Sequence, residues 1–173
     1  MPATQITSPH IDAILVALQH QGSSNDCGPY TTATVLNALL DLNLDGDRLA
    51  QQMEKPVWRG PRFVIRRVPN WATFPWGIVD VMREFGLRSS WRPFESKNYL
   101  QLALSQGTVL MPIIGSVKPL WAHVMALVAW DLHKGWGFAN TQFSHHNIYW
   151  ITDGYFTSHW NVMVHLLVEA KQE

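Results

Sequence analysis

Cys27 is the only cysteine in the chain, and it sits in the run Gln21-Gly22-Ser23-Ser24-Asn25-Asp26-Cys27-Gly28-Pro29-Tyr30. A lone thiol makes neither an internal disulfide nor a thiolate-rich zinc site, which leaves an inert core residue or a reactive nucleophile. The neighbours favour the nucleophile. Asn25 and Asp26 are helix-capping types, and an apolar helical run follows from Thr31 to Leu42. That spacing puts Cys27 in a first helical turn, where free backbone N–H groups and the helix dipole stabilise a thiolate. Gly28 admits close approach of another segment, and Pro29 is tolerated near a helix start. Gln21, six residues upstream of Cys27, carries an amide able to donate to an oxyanion beside the sulfur.

A thiol of ordinary pKa is mostly protonated at neutral pH, so an imidazole must take its proton before or during attack. Of the eight histidines, His123 opens an apolar strand that runs to Trp130, a place from which a side chain can still reach a cleft. His20, beside Gln21, is its main rival; His133 falls in a turn and His145 and His146 in a polar loop. The base needs an orienter to fix its tautomer. Asn140 ends the strand Trp136–Asn140, and the tight turn at His133-Lys134-Gly135 folds that strand back towards His123. Asp131 lies about 26 Å along an extended strand from His123, out of reach. Asp153 stays open as an alternative carboxylate.

The Cys27 segment resembles the active-site segment of papain-like cysteine peptidases, in which a glutamine precedes the nucleophile by the same interval. Its Asp-Cys-Gly-Pro form is most similar to the double-glycine leader peptidase-like branch, which processes bacteriocin precursors. Ala122-His123-Val124-Met125-Ala126-Leu127-Val128 is similar to the histidine strand of that branch, and Trp136-Gly137-Phe138-Ala139-Asn140 to the strand of its third residue. Asp153-Gly154-Tyr155-Phe156 with Trp160 resembles its closing aromatic segment. The resemblance spans about Val16 to Val168. It implies a papain-like α+β fold, with the nucleophile at a helix N-terminus packed on a C-terminal antiparallel sheet. It also implies a site of Cys27, His123, Asn140 and Gln21. Two departures stand out. Asn140 replaces the aspartate usual in the branch, as in papain itself, and no membrane span or nucleotide-binding domain follows within the chain. The expected chemistry is thiol hydrolysis of a peptide or other amide bond. Acyl transfer through the same acyl-enzyme, or a catalytically silent peptide-binding relative, are the alternatives.

Composition narrows the partners. At 173 residues the expectation is one domain covering residues 1–173. Hydrophobic residues at 47% and charged ones at 15% fit a globular chain with a substantial core. A formal charge of zero argues against nucleic acid as partner. Arg59, Arg62, Arg66 and Arg67 cluster, which fits a solvated loop or a local anionic contact. No signal-peptide pattern occupies Met1 to His10, and Ile11 to Leu18 is too short to span a membrane. One unpaired thiol suits a reducing compartment, so a cytoplasmic protein is expected. The histidines lack ligand spacing and no phosphate loop is present, so neither metal nor other cofactor is expected. The anticipated partner is a peptide or protein substrate.

Several elements must position this machinery. Ile14 to Leu18 reads as a strand or one helical turn, and Asp26 to about Leu42 as a helix with Ala33, Leu36, Leu39 and Leu40 towards the core. Asp47 is the expected cap of a short helix from Arg48 to Met53. Lys55 to Trp76, rich in proline and tryptophan, reads as a long loop suited to one wall of a cleft. Helices follow at Gly77–Phe85 and Lys97–Ser105. Strands are expected at Leu87–Trp91, Thr108–Ile114, His123–Trp130, Trp136–Asn140, Ile148–Thr152 and Val162–Val168. Of nine tryptophans, Trp76, Trp130 and Trp160 fit core packing, and others could line a cleft for an extended peptide, a flat ring or a sugar.

Overall fold

The computed structural model of the chain describes residues 4–172; the ends of the Met1–His10 stretch and of the expected 1–173 domain lie outside them. The chain opens with β1 (Gln5–Thr7) and a short helix α1 (Ile11–Val16), followed by α2 (Cys27–Leu40) and α3 (Gly46–Met53). The proline-rich stretch then forms two small hairpins, β2 (Val57–Arg59) with β3 (Arg62–Val64), and β4 (Arg67–Val68) with β5 (Ala72–Thr73). Next come α4 (Pro75–Glu84), β6 (Arg88–Arg92) and α5 (Lys97–Ser105). The remainder is β7 (Val109–Val117), β8 (Leu120–Val124), β9 (Ala126–Asp131), β10 (Gly135–Ala139), β11 (Tyr149–Ile151), α6 (Asp153–Val162) and β12 (Leu167–Lys171). The architecture is α+β, with Cys27 at the start of a helix in the N-terminal helical part, packed on an antiparallel sheet of the C-terminal half.

The sheet runs β11-β10-β9-β7-β12-β6, with β1 added to β9 and β8 to β7. Because side chains alternate along a strand, the two faces sort by parity. Val109, Met111 and Ile113 of β7, and Val168 and Ala170 of β12, pack with α1 to α4. Leu110, Ile114 and Leu167 face the opposite way, onto Leu100 and Leu104 of α5 and Phe156 and Trp160 of α6. Helix α2 lies deep within the first layer. Gly28 through Leu36 are all buried, including Thr31, Thr32 and Thr34. The Thr32 hydroxyl is satisfied by donating to Gly28 O at 2.7 Å, and Thr31 donates to Val124 O at 3.1 Å, tying the helix to β8.

The local expectations held at α5 and, within a residue or two at the ends, at α2, α3, α4, β6, β10 and β11; elsewhere tertiary context prevailed. The short entry segment is helical, as α1. Asp45, not Asp47, caps α3, its carboxylate accepting from Arg48 N at 2.9 Å, while Asp47 accepts from the Tyr30 hydroxyl. The strand expected from His123 to Trp130 begins earlier, at Leu120, and is interrupted at Met125. Its register along β7 continues across the break, from Ile113↔Val124 to Leu110↔Leu127. The strand expected over Val162–Val168 begins only at Leu167, as β12, because Val162 ends α6, whose N-cap Thr152 accepts from Tyr155 N at 3.3 Å. Trp160 is core, but Trp76 is 41% exposed, held over Phe74 with ring centroids 4.5 Å apart.

Candidate active site

Cys27 opens a cleft of about 330 Å³ whose lining also includes Gln21, Gly28, Trp71, Thr73, Trp121, His123 and Gln142. Thus three of the four residues singled out in the sequence line one cavity, and Asn140 stands directly behind the histidine. The strand β10 ends at Ala139, which pairs with Ala126, so Asn140 emerges beside the interruption that follows β8. Its Oδ1 lies 2.9 Å from His123 Nε2. The same oxygen accepts from the Gln142 backbone N–H at 3.0 Å, which fixes the amide orientation. An acceptor on Nε2 means that Nε2 carries the proton in the neutral ring, leaving the Nδ1 lone pair free. Both residues are buried.

The Cys27 segment is held by packing and charge. A Cβ at Gly28 would lie 2.5 Å from Thr73 Cβ, so only glycine lets β5 press against the turn that carries Cys27. Asp26 precedes α2 but makes no capping hydrogen bond; its carboxylate accepts from Arg67 Nη2 at 2.5 Å. Asn25 likewise reaches the hairpin, donating Nδ2 to Asn70 O at 3.1 Å. The backbone N–H groups of Val124 and Gly28 point at the sulfur and favour its thiolate.

These donors do not prevail. Burial pushes the Cys27 thiol above its ordinary value, against the hydrogen bonds from Val124 and Gly28. Burial also pushes the His123 imidazole below its ordinary 6.5, more than its bond to Asn140 raises it. Burial thus opposes, on the sulfur and on the imidazole alike, the charged forms that the helix N-terminus favours in the sequence reading.

Gln21 is buried and doubly engaged. Its Oε1 accepts from the Thr141 hydroxyl at 2.5 Å, and one Nε2 proton goes to Ser24 O at 2.7 Å. Thr141 follows Asn140, so one turn fixes both the histidine's orienter and the glutamine. The other candidates are elsewhere. Asp153 accepts from Lys97 Nζ and Trp136 Nε1, and Asp131 caps the turn at His133 and Lys134. His20 is absent from the cleft lining, His10 contacts Gly107 O, and His146 contacts Leu15 O. The arginines expected in a solvated loop or at a local anionic contact divide: Arg66 and Arg67 are buried, Arg66 against Asp80 and Glu84 and Arg67 against Asp26, while Arg59 pairs with Asp80 and Glu84 from a more exposed position. Sequence reading missed Arg67 and Thr141, because neither shows a local signal of its distant partner. Among the described residues, no group of three or more histidine, cysteine or acidic side chains is arranged to hold a metal ion. No described helix is long and apolar enough to cross a membrane.

No family model matches the sequence, and no curated protein matches it. A solved structure described as a C39-like peptidase from Bacillus anthracis is similar over 99% of both chains, with a TM-score of 0.73 and 11% sequence identity. At that identity the likeness is one of fold: the chain has the same architecture as that structure, the architecture expected from the papain-like resemblance.

Proposed function

We propose that this protein is a cysteine hydrolase that cleaves a peptide or other amide bond through a Cys27 acyl-enzyme. The observation that carries the reading is the 2.9 Å bond from His123 to Asn140 at the cleft shared with Cys27. With Nε2 donating to Asn140, Nδ1 is the base. It takes the thiol proton as sulfur attacks the carbonyl carbon, and the carbonyl electrons move onto oxygen. The Cys27 N–H and the remaining Nε2 proton of Gln21 stabilise that oxyanion. Collapse expels the amine with the proton from His123; water, deprotonated by the same nitrogen, then releases the acid and restores the thiol.

The cleft also bears on substrate class. Its lining has no Asp, Glu, Lys or Arg, and Trp71, Leu120, Trp121, Val162 and Met163 supply apolar wall. A peptide segment with uncharged, apolar side chains fits it. The experiment is a screen of fluorogenic peptide amides with apolar or charged residues on the acyl side. Cleavage of apolar members that is lost in Cys27→Ala is the expected result; undiminished cleavage in that variant refutes the reading. The raised thiol and lowered imidazole favour one second reading, a catalytically silent peptide binder. It predicts peptide binding by calorimetry with no covalent intermediate in mass spectra.

A further inference from the structure

Arg66 and Arg67 are consecutive, and each side chain is only 1% exposed, yet they are partnered differently. Arg66 donates Nε to Asp80 at 2.7 Å and also reaches Glu84, one turn further along α4. Arg67 has one partner, Asp26; its Nε and Nη1 are buried and unpartnered among the described residues. Thr73, opposite Arg67 in the β4–β5 ladder, has a buried Oγ1 that is also unpartnered. Two unmet guanidinium donors are unfavourable in a buried place, so packing alone does not account for an arginine here.

What distinguishes the place is its neighbour. Asp26 immediately precedes Cys27, and the same hairpin touches the nucleophile segment at Asn25 and at Gly28. Of the two charges, Asp26 opposes the thiolate and Arg67 favours it. The further ionisable side chain on the cleft lining is His123, from β8, and that lining carries no lysine or arginine.

Taking Cys27 as the nucleophile, as above, we propose that Arg67 is a positioning residue: through Asp26 it pins the Asn25–Gly28 segment to the β4–β5 hairpin and supplies the positive charge behind the emerging thiolate. A plain structural latch would make the two partners equivalent, since removing either breaks the same bond. An electrostatic device makes them opposite.

The test is the rate of Cys27 alkylation by iodoacetamide against pH, with circular dichroism to check folding. Arg67→Met leaves Asp26 unopposed and is expected to raise the midpoint by about one pH unit; Asp26→Asn leaves Arg67 and is expected to lower it by about the same. The double variant is expected near the wild-type midpoint, and Arg67→Lys, which keeps the charge, to stay closer to wild type than Arg67→Met. Folded single variants that shift in the same direction, or not at all, overturn the proposal. If Arg67→Met does not fold, Asp26→Asn decides alone: a lowered midpoint supports the device, and an unchanged or raised one overturns it. Alkylation needs no substrate. Opposite shifts in a protein that cleaves nothing would sink the hydrolase reading and leave this one, and cleavage without opposite shifts would do the reverse.

Discussion

The two walls of the Cys27 cleft are held by different forces. On the strand wall, His123 and Asn140 are 7% and 3% exposed and joined by a neutral hydrogen bond, with the amide fixed by Gln142 N–H. On the helix-and-hairpin wall, Cys27 keeps partial exposure and stands between Asp26, which pairs with Arg67, and Gly28, against which Thr73 packs. His123 is positioned by bonds that involve no net charge; Cys27 is positioned beside a charge pair. One wall supplies geometry, and the other lets the local field influence a sulfur whose charged form burial disfavours. Arg66, with two acidic partners on α4, anchors the same hairpin without touching the nucleophile segment.

Breaking the strand wall outright has the largest expected effect after loss of the nucleophile itself. His123→Ala should lower kcat/KM by about 10³-fold, the usual worth of a positioned general base. The check is single-turnover acylation, in which folding and peptide affinity should persist. Removing only the orienter is milder. Asn140→Ala should cost about 10–100-fold in kcat with KM little changed, because the ring loses its preferred tautomer and not its position in the chain. Asn140→Asp sharpens the contrast by bringing charge to the neutral wall. Its carboxylate stabilises imidazolium, so the acid limb of the pH–rate profile should move up by about one unit.

The smallest effect concerns stability. The folded imidazole of His123 titrates below the 6.5 of an exposed histidine, chiefly through burial. The unfolded chain therefore binds a proton first as pH falls. The stabilisation from burying the neutral ring is complete above 6.5 and is lost as pH drops through the lowered folded value. Urea unfolding from pH 7.5 to 4.5 should show a shallower acid loss in His123→Leu than in wild type. Equal slopes would mean that the ring is not held neutral.

How much of this was legible depended on where each signal lay. Glycine beside Cys27 announced a close approach, and Thr73 makes it. The turn at His133 to Gly135 announced the hairpin that returns Asn140. Other features had no local signal. Leu120-Trp121-Ala122 gave no sign of being strand, yet it pairs with Gly115 to Val117. Tyr155 and Phe156 gave no hint of helix α6. Nothing near Gln21 reveals that Thr141 will hold its carbonyl oxygen, and nothing in an Arg-Arg pair says which member will be buried on Asp26.

The sequence by itself determined the local surroundings of Cys27, the helix that carries it, and the order of glutamine, cysteine, histidine and asparagine, because turn chemistry and hydrophobic period act over a few residues. Only the tertiary structure decided how far Cys27 and His123 are buried, which opposes charge on both, and the partner of Asp26. Burial and charge pairing depend on segments far apart in the chain, and their competition is resolved only when those segments pack.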